Sequence, residues 1–206
     1  MPTTIAVLCY DGFDELDVVG PFEVFEMAAD EGAPLDTSLV TLSSRAQVTA
    51  AHGLRIEPDG VLPVDDPPDV LVVPGGGWND RRPEGAWAEA ERGAVPDALA
   101  RLHDAGTTLA GVCTGGMLLA RAGLLDGRPA VTHGGALDDL RETDAEVVDA
   151  RVVDDGDVVT AGGITSGLDL ALWLVERLVD RGTADGVATG LEYTPQRERW
   201  VSSPRQ

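Results

Sequence analysis

The chain is predicted to be an α/β protein with a doubly wound, mostly parallel sheet, on three observations. Apolar runs of strand length recur without polar alternation, helical patterns stand between them, and turn residues follow directly on the strand ends. Thr4 to Tyr10 is the first such run, and Asp11-Gly12-Phe13-Asp14 supplies its turn. From Asp14 to Glu31 the pattern is helical, with Leu16, Val19, Phe22, Val24 and Phe25 expected on one face. Asp14, Glu15 and Asp17 crowd its first turn, where acids complement the helix dipole.

Ser38 to Leu42 reads as a strand, Val48 to Ile56 as a short extended segment, and Val70 to Val73 as a strand buried on both faces that runs into Pro74-Gly75-Gly76-Gly77. Glu89 to Ala105 is helical with an expected interruption at Pro96, and it leads into the strand Thr108 to Val112. Thr114 to Leu125 then reads as a helix. Ala130 to Thr132 is a short strand and Ala136 to Leu140 a helical turn. Val147 to Val153 and Val158 to Ala161 form a hairpin around Asp155-Gly156. Helices are expected over Thr165 to Arg181 and Ala184 to Leu191, and the polar tail from Tyr193 to Gln206 is left unassigned. One domain is expected over residues 1–206, its core spanning about 4–191 and its tail 192–206.

Charge is the most unusual global feature: 36 acidic residues face 15 basic ones, all arginine, for a net charge of −21. Such a lysine-free acidic surface suits a high-salt interior, where screening suppresses self-repulsion. It disfavours nucleic acid as a partner. Without lysine there is no phosphate-binding loop of the Walker type and no Schiff-base chemistry. No apolar run reaches the roughly 20 residues of a membrane span, and the N-terminal segment reads as a strand, so a cytoplasmic protein is expected. Cys9 and Cys113 are expected to remain reduced. Three scattered histidines, with no Cys-x-x-Cys, argue against a metal site.

Parallel sheets place their sites at the carboxyl ends of strands, which selects the loops Tyr10 to Asp17, Pro74 to Asn79 and Gly111 to Gly116. In the last of these, Gly111-Val112-Cys113-Thr114-Gly115 has the spacing of a nucleophile elbow, with small neighbours where a Cβ would strike the adjoining strand and helix. A thiol at a helix N-terminus is expected to have a lowered pKa and to act as a thiolate. Gly75 and Gly76 can turn backbone N–H groups into the same crevice, and the N–H groups of Gly76 and Thr114 form a candidate oxyanion hole. Asp17 can reach across the sheet edge and serve Cys113 as a proton donor, although taken alone it reads first as a capping or dipole-complementing acid. His133, at a strand end, is either a partner to the thiol or a hydrogen-bonded structural residue.

Together Glu15 to Phe25, Val73 to Gly77, Gly111 to Gly116, Thr132-His133 and Ala161 to Ala171 resemble the DJ-1/PfpI superfamily, closest to its isocyanide hydratase-like and AraC-type amidotransferase-like branch. The resemblance spans about Ile5 to Leu191. It implies a flavodoxin-like, class I glutamine amidotransferase-like sandwich that is usually dimeric, with Cys113 as nucleophile and Asp17 as its carboxyl partner. It implies no cofactor, and a small-molecule substrate: an isocyanide hydrated to an N-substituted formamide. Thr114 stands where the peptidase branch has histidine, which argues against proteolysis, and Gly134 stands where the hydratases usually carry tryptophan. Few residues follow Leu191, so the helix-turn-helix module of the branch's regulators is not expected. The alternatives are glyoxalase or deglycase chemistry on small dicarbonyls, in which Asp17 and His133 move protons, and a non-catalytic redox sensor based on oxidation of Cys113.

Overall fold

Apolar runs carried by β-branched residues settle side by side into one eight-stranded sheet in the computed structural model, which describes residues 1–202. The elements in chain order are β1 (Thr3–Leu8), α1 (Glu15–Asp30), β2 (Leu35–Thr41), β3 (Val48–Thr49), β4 (Arg55–Ile56), β5 (Gly60–Val61), β6 (Val70–Val73), α2 (Ala86–Arg92), α3 (Ala94–Asp104) and β7 (Thr108–Gly111). There follow α4 (Gly115–Arg121), β8 (Pro129–Ala130), a 3-10 turn (Gly134–Ala136), α5 (Leu137–Arg141), β9 (Glu146–Val147), β10 (Val152–Asp154), β11 (Val158–Ala161), α6 (Ser166–Leu178), α7 (Arg181–Gly190) and β12 (Arg199–Val201).

The strand order is β12-β10-β11-β7-β6-β1-β2-β5, and every neighbouring pair is parallel except β10 with β11. The flavodoxin-like α/β architecture expected from the sequence is therefore present. From β1 the chain builds first to one side, into β2, and later to the other, into β6. Such a switch leaves a crevice at the carboxyl ends of the central strands. The register sets the loops' heights: Val73 of β6 lies beside Gly111 of β7, so the loops after both strands leave the sheet at one level.

Helices α1, α6 and α7 pack on one another, as do α2, α3 and α4, and the two groups cover the two faces of the sheet. The centre of the sheet is wholly apolar, with Val7, Leu71, Val72, Leu109, Ala110 and Val159 inaccessible to solvent. At roughly 25 cal/mol per Å2 of apolar surface removed from water, these strands anchor the fold.

Several boundaries differ from the sequence expectation. The buried face of α1 carries Val18, Pro21, Val24, Phe25 and Ala28, so Val24 and Phe25 lie as expected, while Val19 is 41% exposed and Phe22 only partly covered. Pro21 sits inside the helix because it packs against Gly167 of α6, where a Cβ would crowd Val112. The helical break predicted at Pro96 falls at Gly93, which adopts the left-handed conformation (φ 78°) and caps both α2 and α3. Pro96 lies in the first turn of α3, where its missing N–H costs nothing. Helix α4 ends four residues earlier than expected. The hairpin expected from Val147 is confined to β10 and β11, because Glu146 and Val147 pair instead with β8.

The unassigned tail contains β12, a parallel edge strand on β10. Buried Asp169 ties down the approach to it by accepting from Tyr193 Oη (2.9 Å), Gln196 N–H (2.8 Å) and the Arg151 guanidinium. Arg199 then stacks 4.1 Å from the Trp173 ring and pairs with Glu176. These partners lie far apart in sequence, which hides the strand from local pattern. The last four residues of the expected tail, 203–206, lie outside the described residues.

Candidate functional site

Cys113 sits between the end of β7 and the start of α4 with φ 55°, in the left-handed region that a side chain with a Cβ rarely adopts. Holding a residue there costs on the order of 1–3 kcal/mol, so the surroundings must fix it. They do so through the backbone. Cys113 N–H donates to Gly162 O (3.0 Å), and Cys113 O accepts from Thr132 Oγ1 (2.9 Å). The glycines behave as the elbow motif requires: a Cβ at Gly115 would run into the Val73 carbonyl, and one at Gly75 into Thr114. The thiol is thereby left as the projecting group. It is 5% exposed, at the floor of a crevice of about 230 Å3 that Gly76, Trp78, Asn79, Thr114, His133 and Ile164 also line.

Asp17, in the first turn of α1, is fully buried beside it. Its Oδ2 accepts from Gly75 N–H (2.9 Å), while Oδ1 has no conventional hydrogen-bond partner among the described residues. The neighbour that favours this carboxyl's charged form from the side is the Cys113 thiol. Burial, reinforced by the charge of Asp14, nevertheless pushes the Asp17 carboxyl up to about 8, so it is a neutral acid at pH 7.

The thiol departs from the sequence expectation. Helix α4 has only seven residues, and burial followed by repulsion from Asp17 and Asp14 outweighs its N-terminal field and raises the Cys113 pKa above that of a free cysteine. Two N–H groups oppose that rise, those of Thr114 and Ile164, which point to the sulfur. Thiol and carboxyl thus cannot both ionise at neutral pH, and they share protons as a coupled pair. When Asp17 holds its proton, its repulsion of a thiolate disappears.

The glycine-rich loop is used differently from the oxyanion hole expected of it. Gly76 N–H donates to Thr114 Oγ1 (3.0 Å) and Gly75 N–H to Asp17, so both are committed to holding the site's own side chains. Of the expected pair, Thr114 N–H does face the sulfur, but its companion is Ile164 N–H, from the loop before α6. Ile164 stood inside a recognised sequence block, yet a backbone donor leaves no side-chain signature.

His133 lines the crevice but makes no hydrogen bond to Cys113 among the described residues. Its Nδ1 accepts from Gly135 N–H (2.9 Å), which leaves the proton of the neutral ring on Nε2, and Asn79 Nδ2 lies 3.3 Å from Nδ1. Trp78 and Asn79 lie in the Pro74 to Asn79 loop that the sequence selects, though neither side chain is singled out there. Trp78 is held edge-on to Trp87 (5.1 Å between centroids) with its Nε1–H on Asp139, and Arg81 bridges these groups. Tyr10 supports the site from beneath by donating to Pro74 O.

Asp14, Glu15 and His52 form the one group among the described residues with metal-ligand spacing, their ligand atoms lying within 4.8 Å of one another. Glu15 is occupied within that group by His52 N–H, the His52 ring and Leu54 N–H, and Asp14 caps α1.

A parallel α/β sheet carrying a strained cysteine elbow against a buried, neutral carboxylic acid defines a class of cysteine-centred α/β proteins. The chain belongs to the DJ-1/PfpI family, whose model matches residues 3–177. It is 34% identical over 197 residues to an isonitrile hydratase from Pseudomonas putida, covering 95% of this chain and 80% of that protein. It is 30% identical over 159 residues to a deglycase from Thermococcus kodakarensis, covering 76% and 88% respectively. Among solved structures, a ThiJ/PfpI family protein from Pseudomonas syringae superposes with a TM-score of 0.81 at 31% identity, covering 95% of this chain and 77% of that one. A DJ-1 superfamily protein from Salmonella typhimurium also superposes at 0.81, with 25% identity, covering 93% and 99%.

Proposed function

We propose that the protein is a cofactor-free hydratase that converts an isonitrile and water into an N-substituted formamide, with Cys113 as nucleophile. The observation that carries this reading is the pairing of a projecting, strained cysteine with a buried acid still protonated near neutral pH. The reactive form of the pair carries one proton, on Asp17, the other having left to solvent: the thiolate attacks the terminal carbon of the isonitrile, and Asp17 delivers its proton to that carbon to give a thioimidate. The N–H groups of Thr114 and Ile164 favour the sulfur's anionic form before attack and as a leaving group. Water then adds to the same carbon, the nitrogen takes a proton, and the C–S bond breaks to release the formamide, with a proton returned to the Cys113–Asp17 pair. Gly75 N–H orients the acid, and Thr114, fixed by Gly76 N–H, shapes the floor. The similarity to an isonitrile hydratase over nearly the whole chain supports this choice of substrate.

The deglycase relative favours a second reading, in which the same sulfur attacks a small dicarbonyl and His133, on the crevice wall, moves a proton. We further infer that the protein works as one DJ-1/PfpI domain, a cytoplasmic homodimer adapted to high salt. Its two unpaired cysteines, its charge of −21 and the absence of any helix long and apolar enough to cross a membrane among the described residues support that setting.

The test is turnover in molar salt of alkyl isonitriles and, in parallel, of methylglyoxal. Formamide released by the native chain and abolished in Cys113→Ala is the expected result. Lactate without formamide selects the second reading, and formamide from Cys113→Ala overturns covalent catalysis.

A further inference from the structure

Charged groups on the crevice wall are drawn into two ion pairs. Arg82 lies 3.5 Å from Asp80, and His52 Nδ1 lies 2.7 Å from Glu15. Asp14 is left over. Its carboxylate caps α1 through Leu16 N–H (3.3 Å) and lines the crevice beside Cys113; among the described residues no ion pair holds it, although the His52 ring that Glu15 binds lies within 4.8 Å of it. It is half-buried, so solvent screens it less than the exposed acids that make up most of the charge of −21. An electrophile that reaches the sulfur enters a crevice whose wall this carboxylate shares. A carboxylate on the incoming molecule meets repulsion there, an ammonium attraction, and a neutral group neither.

Resting on the reading of Cys113 as nucleophile, we propose that Asp14 is a specificity-determining residue that restricts the site to neutral and cationic electrophiles. For isonitriles the favoured class is alkyl and aminoalkyl isonitriles, with isonitriles bearing a carboxylate excluded. For dicarbonyls it is neutral aldehydes over oxoacids. A single half-buried carboxylate on the wall of the same crevice discriminates about tenfold between a neutral and an anionic group.

The experiment needs no turnover, so it separates this proposal from the hydratase reading. Cys113 in the full-length native chain is alkylated with iodoacetamide, iodoacetate and 2-bromoethylamine, and its labelling is followed by peptide mass. Each rate is divided by that of a small free thiol. Asp14→Asn keeps a capping oxygen and removes the charge. Glu23→Gln removes one charge from an exposed position on the same helix. Ratios between reagents cancel any common change in the ionisation of the sulfur. The expected result is that the preference for iodoacetamide over iodoacetate falls about tenfold in Asp14→Asn, that the preference for 2-bromoethylamine falls likewise, and that Glu23→Gln changes neither. Equal changes in both variants would assign the effect to the whole molecule's field, and no change in Asp14→Asn would remove Asp14 from the account. Failure of all three reagents to label Cys113 would overturn it as well, because the proposal needs a thiol open to the crevice.

Discussion

Replacing Asp17 by asparagine isolates the energetic signature of the buried acid. In the native fold its carboxyl holds a proton up to about pH 8, whereas in the unfolded chain it ionises near its ordinary value of 3.8. Between those values folding takes up one proton at this position, so this group's contribution to stability is largest below pH 4 and declines as pH rises, being lost toward pH 8. The slope is about 1.4 kcal/mol per pH unit, which amounts to about 4 kcal/mol between pH 5 and pH 8. Asp17 is inaccessible to solvent, so bulk screening does little to reduce that figure. The side-chain amide introduced by Asp17→Asn can keep the carbonyl that accepts from Gly75 N–H, and it has no proton to exchange in this range. Urea unfolding at pH 5, 6, 7 and 8 measures both chains, and subtracting them removes the contribution of the other acids. The variant should gain on the native chain by up to about 4 kcal/mol across the window. Two stability curves that run parallel would show that Asp17 is ionised in the fold, and the proton-donor role would go with it.

Three further perturbations probe the parts that hold this pair in place. Gly115→Ala sets a Cβ against the Val73 carbonyl and should cost about 1–3 kcal/mol in urea unfolding while displacing the elbow; wild-type stability and activity would remove the steric account of this glycine. Thr114→Val leaves Gly76 N–H without its acceptor and should cost about 1–3 kcal/mol, most of it restored in Thr114→Ser; a loss in Thr114→Ser with none in Thr114→Val would assign the position to its methyl group instead. Asp169→Ala strips Arg151, Tyr193 and Gln196 of a common acceptor and should cost about 3 kcal/mol, with faster hydrogen exchange across residues 193–202; unchanged exchange there would mean that the tail is held by β12 pairing alone.

What the sequence revealed of this fold is what local pattern encodes. The buried strands at Val70 and Thr108 lie where their continuous apolar runs place them, because both faces of a central parallel strand must be apolar. The elbow was legible because its motif is local, with Gly111, Cys113, Gly115 and a strand-to-helix junction standing together, although the atom that forbids a Cβ at Gly115 is the Val73 carbonyl of the neighbouring strand. Features built from distant segments were not. Strand β12 exists because Val152 to Asp154 offer an edge and Asp169 gathers the approach to it, and no stretch of the tail announces either. The assignment of Gly76 N–H to an oxyanion hole failed for the same reason, since the acceptor it uses, Thr114 Oγ1, is 38 residues away. The expected lowering of the thiol pKa considered the helix terminus without the burial that opposes it, and burial is set by the whole fold. The break in the second helical segment shows a local rule misapplied: glycine in the left-handed conformation ends a helix, while proline in a first turn does not.

The claim on which the rest depends is that Cys113 Sγ forms a bond to the substrate's electrophilic carbon. Rapid acid quenching of the native protein during turnover of an alkyl isonitrile, followed by peptide mass analysis, reads that bond directly. A mass increase equal to one isonitrile on the Cys113 peptide, absent from Cys113→Ala and from the Cys9 peptide, is the predicted result. Formamide accumulating while the Cys113 peptide keeps its unmodified mass at every quench time, and forming equally in Cys113→Ala, would contradict it.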